Sequence, residues 1–191
     1  MIKRGVFFFI SCFCLFLGAN PLVVSGTEAP VLYLSLQDDL GRQFIKRVNK
    51  ERRQIKIATH RLSDPMIIRA LIEAHRRSVL VEVLVDPVTV TKNSPLKRLV
   101  EEGISVFVWQ AEGLPLKKGV KVRRLQHAFC VFGEDVSWTG SYSFSLKRKC
   151  QPIENAVLLY DEAIAKGFLQ EFERLRQKHS LPFNTYVERK R

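Results

Sequence analysis

The sequence has few of the residues that bind transition metals. Its four histidines (His60, His75, His127 and His179) are scattered, and its four cysteines do not join them in a cluster with the spacing of metal ligands. We therefore expect no metal site and no cofactor. The chain also lacks internal repeats and low-complexity tracts, which excludes repeat architectures and favours an ordinary globular domain.

Only two cysteines, Cys130 and Cys150, lie beyond the N-terminal segment. An exported protein can oxidise such a pair to a disulfide. Cys130, however, lies within the apolar run of residues 128–132, which favours a buried thiol that packs as a small hydrophobic side chain. Whether the two cysteines pair stays open at this point.

Long apolar runs are missing except at the N-terminus. Lys3 and Arg4 precede a nearly continuous apolar run from Val6 to Leu17, and small residues follow at 18–19 and 24–26. This order is typical of a signal peptide, and the run is shorter than the roughly 20 residues that span a membrane. We predict a leader at residues 1–26 and a secreted or periplasmic domain at residues 27–191. An uncleaved leader that anchors the domain to a membrane is the alternative.

Negative charge is scarce relative to positive charge. The chain of 191 residues carries 31 Lys and Arg against 19 Asp and Glu, a formal charge of +12, and 46% of its residues are hydrophobic. This composition predicts one globular domain. The positive charge favours nucleic acid or anionic phospholipid as partners, and a solvated basic surface without a ligand is the alternative.

Strand and helix patterns alternate along the first half of the chain. The expected strands are residues 30–36, 55–59, 79–85 and 105–109, and the expected helices are residues 38–49, 66–77 and 94–102. In the second half we expect a strand pair at 129–132 and 136–139, a strand at 155–160 and a long amphipathic helix at 162–178. The alternation predicts an α/β domain whose strands are mostly parallel.

Ordered pieces of sequence along residues 30–178 carry a resemblance. In the first half these are residues 55–59, 63–65, 81–86 and 96–107, and in the second half residues 126–133, 139–145 and 154–159. By their order and spacing the chain resembles the phospholipase D superfamily, in its small single-motif, endonuclease-like branch. The resemblance implies a phospholipase D-like layered fold, with a mixed, mostly parallel sheet flanked by helices.

The resemblance also implies a mechanism. In active members, the His of a His-x-Lys-x4-Asp motif attacks phosphorus, the Lys neutralises the phosphoryl oxygens, and the Asp supports the His. A covalent intermediate divides one difficult displacement into two easier steps. The chemistry needs no metal, and single-motif members form homodimers because each subunit supplies one motif. The resemblance therefore implies a homodimer.

The signature positions of this motif hold other residues in this chain. An alignment on the Gly-Ser turn places Gln126 at the His position, Ala128 at the Lys position and Gly133 at the Asp position, and Ser143 replaces the turn's Asn. Glutamine is not a nucleophile of this kind, and alanine has no charge. Because loss of a nucleophile removes most of the advantage of a covalent mechanism, we predict the fold without standard phosphodiesterase activity.

Two other functions stay open. A one-residue bulge could turn His127 into the site, although neighbours in a strand point to opposite faces. The protein would then be a divergent phosphodiesterase of phospholipase D or nuclease type, with charge from nearby basic residues; His60 is a weaker candidate. The other function is a non-catalytic interaction subunit, for example beside a partner with an intact motif.

Five residues are candidates for holding a phosphate without hydrolysing it. Three are basic and precede the motif region, and two are serines of the Gly-Ser turn: Lys121, Arg123, Arg124, Ser141 and Ser143. Ordinary loop charge is the alternative interpretation of the basic residues. The sequence does not choose between nucleic acid and anionic phospholipid, because the resembled family uses one chemistry on both.

Overall fold

The structure, a computed structural model, describes residues 28–91, 93–111, 124–145 and 152–190. The eight strands found in these residues are β1 (Val31–Leu34), β2 (Gln54–Thr59), β3 (Leu80–Val85), β4 (Ser105–Trp109), β5 (Ala128–Phe132), β6 (Val136–Gly140), β7 (Asn155–Tyr160) and β8 (Ser180–Pro182). The helices are α1 (Leu40–Lys50), α2 (Pro65–Arg76), α3 (Leu96–Glu101), α4 (Glu162–Lys178) and α5 (Phe183–Glu188), with a short 3-10 turn at Pro87–Thr89.

All eight strands form one sheet in the order β1-β7-β6-β5-β2-β3-β4-β8. The layered α/β class is confirmed, but the expected parallel majority is wrong. Only β2–β3 and β3–β4 are parallel, and the other five neighbouring pairs are antiparallel. The reason is connectivity: crossover helices α2 and α3 link the parallel strands, whereas β5 and β6 are joined by a short turn that forces antiparallel pairing.

Three helices begin at an aspartate that caps them. The carboxylates of Asp39, Asp64 and Asp161 accept hydrogen bonds from the first-turn N–H groups of α1, α2 and α4, which satisfies donors that lack a partner within the helix. The bounds expected for β4, β7 and α4 are those observed. Strand β8 and helix α5 were not expected, because elements of three and six residues are too short to show a periodic pattern.

Helices cover both faces of the sheet, and alternate side chains of each strand enter different cores. In β5, Cys130 and Phe132 pack into the core with α1, α2 and α3, whereas Phe129 and Val131 pack against α4. The expected burial of Cys130 is therefore confirmed, and burial raises the pKa of its thiol well above its usual range. Cys150 lies outside the described residues. By the same alternation, Gln126 and His127, the two residues just before β5, are expected to point to opposite faces of the sheet.

Helices of the described ranges are all too short or too polar to cross a lipid bilayer. The leader expected at residues 1–26 lies outside these ranges.

Candidate functional site

All eight strands have an end at one edge of the sheet. There β1, β2, β3, β4 and β6 finish, while β5, β7 and β8 begin. Ligands in open α/β sheets commonly bind beyond the carboxyl ends of parallel strands, and here these are β2 and β3. We name this place the motif edge; it comprises the strand ends and the residues just beyond them, namely His60, Asp86, residues 124–127 and residues 141–143.

Two of the three motif positions lie at the motif edge. Gln126 is exposed two residues before β5, and Ala128 is the first residue of β5, opposite Thr59 of β2. Gly133 follows the last residue of β5, and a strand of five residues separates it from the edge by about 16 Å. The structure therefore brings positions 126 and 128 together and leaves position 133 at the opposite edge.

The local backbone explains why position 133 holds a glycine. Gly133 begins the turn between β5 and β6 with a φ of +61°, a conformation that glycine adopts without strain. A side chain there would also displace the exposed guanidinium of Arg53, which forms an ion pair with Asp135 at 2.6 Å. In this chain, position 133 is thus shaped for glycine.

Asp86 is a buried carboxylate that the sequence did not single out as a site residue. Its oxygens accept hydrogen bonds from the N–H groups of Leu125 and Val88, both at 2.9 Å, and lie 3.7 Å from the guanidinium of Arg124. These contacts attach the segment before β5 to the end of β3. The only sequence signal was a carboxylate directly after a Val-rich strand.

His60 joins three segments at the motif edge. Its N–H donates to the carbonyl of His127 at 3.0 Å, and its own carbonyl accepts from the hydroxyl of Thr89 at 3.1 Å. Its ring Nδ1 lies 3.2 Å from the carbonyl of Leu125. Because a carbonyl only accepts, this bond assigns the proton to Nδ1 and leaves Nε2 as the acceptor nitrogen of the neutral ring.

His127 lies on the other face of the sheet. The pairing of β5 with β2 and β6 runs without a break through residues 129–132. These residues therefore contain no bulge that would turn the side chain of His127 to the face on which Ala128 lies. Its ring contacts Phe129 edge-on, and its Nε2 is 3.3 Å from a carboxylate oxygen of Glu171 on α4. His127 thus belongs to the α4 side of the motif edge.

Two residues of α4, Glu171 and Arg174, lie beside His127, and the sequence analysis did not identify them as site residues. Arg174 donates two hydrogen bonds to Glu171, at 2.7 and 2.8 Å, and these bonds lower the pKa of the Glu171 carboxyl. Both residues follow His127 by more than forty positions, so only the folded chain brings them together. With the segment before β5 they line a hollow of about 450 Å³, formed by Trp109, Arg124, Leu125, Gln126, His127, Glu171, Arg174 and Leu175.

The Gly-Ser turn is closed by Asn155. The N–H of Ser141 lies 3.1 Å from both oxygens of Asn155, and the N–H of Tyr142 donates to the Asn155 carbonyl at 3.2 Å. The Ser141 hydroxyl donates to the Asn155 side chain and accepts from its backbone N–H. The Ser143 hydroxyl lies 3.1 Å from that of Ser145. The Ser141 and Tyr142 N–H groups are therefore already occupied, and a phosphate would have to displace Asn155 to reach them.

Arg124 is the candidate basic residue that the structure describes. Its side chain is half exposed, and its guanidinium lies 3.7 Å from the buried carboxylate of Asp86. Lys121 and Arg123 lie outside the described residues. The described part of the chain holds no group of three or more His, Cys, Asp or Glu side chains that could bind a metal ion.

Comparisons with known proteins show what the chain is similar to. The family model described as "Cardiolipin synthase, PLD-like domain" matches residues 44–176. A mitochondrial cardiolipin hydrolase of Xenopus tropicalis is 28% identical over 159 residues, covering 78% of this chain and 71% of the relative. Its Xenopus laevis counterpart is 27% identical over 72% of this chain and 61% of its own length, and a phospholipase D of Rickettsia typhi is 25% identical over 73% and 64%. The chain thus spans less than two thirds of two of these relatives.

Solved structures show the same fold. Nuc from Salmonella typhimurium, a phospholipase D family member, superposes with a TM-score of 0.66 at 17% identity, covering 81% of this chain and 99% of that one. NucT from Helicobacter pylori gives a TM-score of 0.71 at 17% identity, over 79% and 97%. At this identity the likeness concerns the fold.

Proposed function

The chain belongs to the family of phospholipase D-like domains, and we propose that it binds phosphate-bearing ligands at the motif edge without the family's standard hydrolysis. The ligands are nucleic acid or anionic phospholipid. One observation carries the proposal: the fold brings positions 126 and 128 to a shared edge with the ends of β2 and β3, yet these positions hold Gln126 and Ala128.

The loss of hydrolysis follows from the chemistry at this edge. The amide of Gln126 cannot form a covalent phosphoryl intermediate, and the methyl group of Ala128 cannot neutralise phosphoryl oxygens. Such fixed charge commonly contributes the largest part of transition-state stabilisation. His127 points to the α4 side, where its Nε2 contacts the carboxylate of Glu171.

Binding follows from the positive charge that remains. Arg124 is half exposed at the motif edge. Together with Arg174 of α4 it lines the hollow of about 450 Å³ described above. Guanidinium groups bind phosphate through paired hydrogen bonds that are stronger than neutral ones. The excess of Lys and Arg over the whole chain adds longer-range attraction for polyanions and anionic surfaces.

Export and assembly are part of the same proposal. Residues 1–26 have the composition of a signal peptide, and an uncleaved leader would instead anchor the domain to a membrane. The chain has one motif region rather than two, which by its family resemblance supports a homodimer in which two motif edges adjoin.

Replacing Arg124 with glutamine is expected to weaken binding of both a DNA duplex and anionic vesicles by about tenfold, because a charge-assisted hydrogen bond is lost. The slope of log affinity against log salt for the duplex should fall by about one. Arg69→Gln is the matched control, because Arg69 is exposed on α2 and paired with Glu73. Fluorescence anisotropy and vesicle sedimentation measure both effects, and an equal loss in the two variants would count against the proposed site.

A second candidate function is supported by the contacts of His127. In the α4-side hollow, Glu171 can orient the imidazole, and Arg124 and Arg174 can hold a phosphodiester beside it. A histidine oriented by a carboxylate is a recurrent arrangement for base or nucleophilic catalysis. This candidate requires turnover that depends on both His127 and Glu171.

A further inference from the structure

Large aliphatic side chains are exposed together along β1 and just before β7. Leu32 is 57% exposed, Leu34 38%, Leu36 78% and Ile153 77%. These are four of the six strongly exposed large hydrophobic residues in the described part of the chain. We name this group the β1 patch. Contiguous apolar patches on a soluble domain mark interaction surfaces more often than scattered single residues do.

Hydrogen bonds hold the patch in its exposed position. The turn after β1 is closed by the N–H groups of Gln37 and Asp38, which donate to the Leu34 carbonyl, while the Asp38 carboxylate accepts from the N–H of Leu34. Ser35 and Glu154 exchange two further bonds, at 2.9 and 2.8 Å. These hydrogen bonds fix the backbone next to Leu36 and next to Ile153.

The alternation of β1 explains why the patch is uncovered. Tyr33 points inward and stacks on Trp138 with 5.4 Å between ring centroids. Leu32 and Leu34 therefore point to the other face of the sheet. Helix α4 packs there across β2, β4, β5, β6 and β8, and the exposure of the two leucines shows that their end of the face stays open.

Strand β1 finishes at the same end of the sheet as the motif edge. Leu34 pairs with Asn155, the residue that binds Ser141, so Leu36 and Ile153 stand beside the Gly-Ser turn. Arg124 contacts Asp86 at the end of β3, five strands from β1 and thus about 24 Å away, so an extended surface that covers Leu36 and Ile153 can also reach Arg124. An apolar layer covered by phosphate groups, as at the interface of an anionic bilayer, fits both parts.

The N-terminal segment points to the same partner. The 27 residues before Glu28 contain the apolar run from Val6 to Leu17, and Glu28 lies three residues before β1. Leu32 is therefore within about 14 Å of the end of that segment along the chain. As an uncleaved anchor, the alternative to a cleaved leader, a segment of this composition would hold β1 close to a lipid surface.

We propose that the β1 patch inserts into the interfacial layer of an anionic bilayer and presents the motif edge to lipid phosphates. The inference rests on the proposed function and deepens it, because it names membrane phospholipid rather than nucleic acid as the source of the phosphate. Leu36 and Ile153 enter deepest, since they are the most exposed members of the patch.

Tryptophan reporters test the insertion in the full chain. The two native tryptophans, Trp109 and Trp138, are buried, and because Trp109 lines the hollow, the wild-type protein on the same vesicles provides the background that is subtracted. Leu36→Trp and Ile153→Trp place reporters in the patch, and Leu80→Trp is the matched control at the opposite edge of the sheet, where Leu80 is 53% exposed. Each protein is mixed with phosphatidylglycerol vesicles that contain phosphatidylcholine brominated in its acyl chains, and binding is verified by flotation.

We expect most of the added emission at positions 36 and 153 to be lost on the brominated vesicles, with little loss at position 80. Vesicle-bound protein with no loss at 36 and 153, or with equal loss at all three positions, would overturn the inference. So would an emission shift at 36 and 153 that depends on protein concentration without lipid, since a second copy of the chain would then cover the patch.

The same experiment separates this inference from the proposed function. If the reporters are quenched but vesicle binding does not change with Arg124→Gln, the docking stands and the phosphate site fails. If binding depends on Arg124 while the reporters stay unquenched, the phosphate site stands and the docking is overturned.

Discussion

Replacing Gly140 with alanine is expected to destabilise the domain by about 2–4 kcal/mol. Gly140 ends β6 with a φ of +157°, and a Cβ there would be driven into the backbone of Asn155 and Ala156. These are backbone atoms of the paired strand β7, so they cannot move aside as a flexible side chain would. Thermal unfolding should show a midpoint lowered by about 5–15 °C.

Gly167 provides the control for this substitution. It lies in α4 with no atom within 4 Å of the position that a Cβ would take. Gly167→Ala should therefore stabilise the domain by about 0.5–1 kcal/mol, because alanine loses less backbone entropy in a helix than glycine does. An unchanged midpoint for Gly140→Ala would contradict the close approach of β6 and β7 at the motif edge.

Replacing Asp86 with alanine is expected to cost about 3 kcal/mol and to loosen the segment before β5. The substitution leaves the N–H groups of Leu125 and Val88 without their acceptor in a buried place, and each unsatisfied group costs about 1–3 kcal/mol. It also removes the carboxylate on which Arg124 leans. Denaturant unfolding measures the loss of stability, and hydrogen exchange at Leu125 measures the loosening.

Asp135→Ala is the matched control for Asp86. Asp135 forms an ion pair with Arg53, but both side chains are exposed, and such pairs contribute at most about 1 kcal/mol. The two aspartates thus differ in burial and in the number of backbone donors that they satisfy. Equal effects of the two substitutions would show that Asp86 does not hold the segment in place.

The sequence predicted most elements but not their pairing. The helical periods of α1 and α2 and the Val-rich β3 were visible because each buries one face or lies wholly in the core. The number of parallel strands was overestimated, since alternation in the first half was extended to the whole sheet. In the second half, the turn at Gly133 joins β5 to β6 as an antiparallel pair, and β7 lies antiparallel between β1 and β6.

The candidate site was predictable only in part. The order of sequence pieces indicated the family and placed Gln126 and Ala128 at two of its motif positions, and the family match and the fold agree with that resemblance. Asp86 and Glu171 were missed because their contacts with Leu125 and His127 cross 39 and 44 positions. Such contacts leave no local pattern, since they depend on how β3 and α4 approach the segment before β5.

The most direct test of the central claim is hydrolysis of bis(p-nitrophenyl) phosphate by the purified full chain across a range of pH, beside His127→Ala and Glu171→Gln. The account predicts no turnover above the buffer rate for any of the three proteins, while the wild type still binds anionic vesicles. Turnover by the wild type that is lost in both variants would contradict it. The protein would then be a phosphodiesterase that acts from the α4 side of its motif edge.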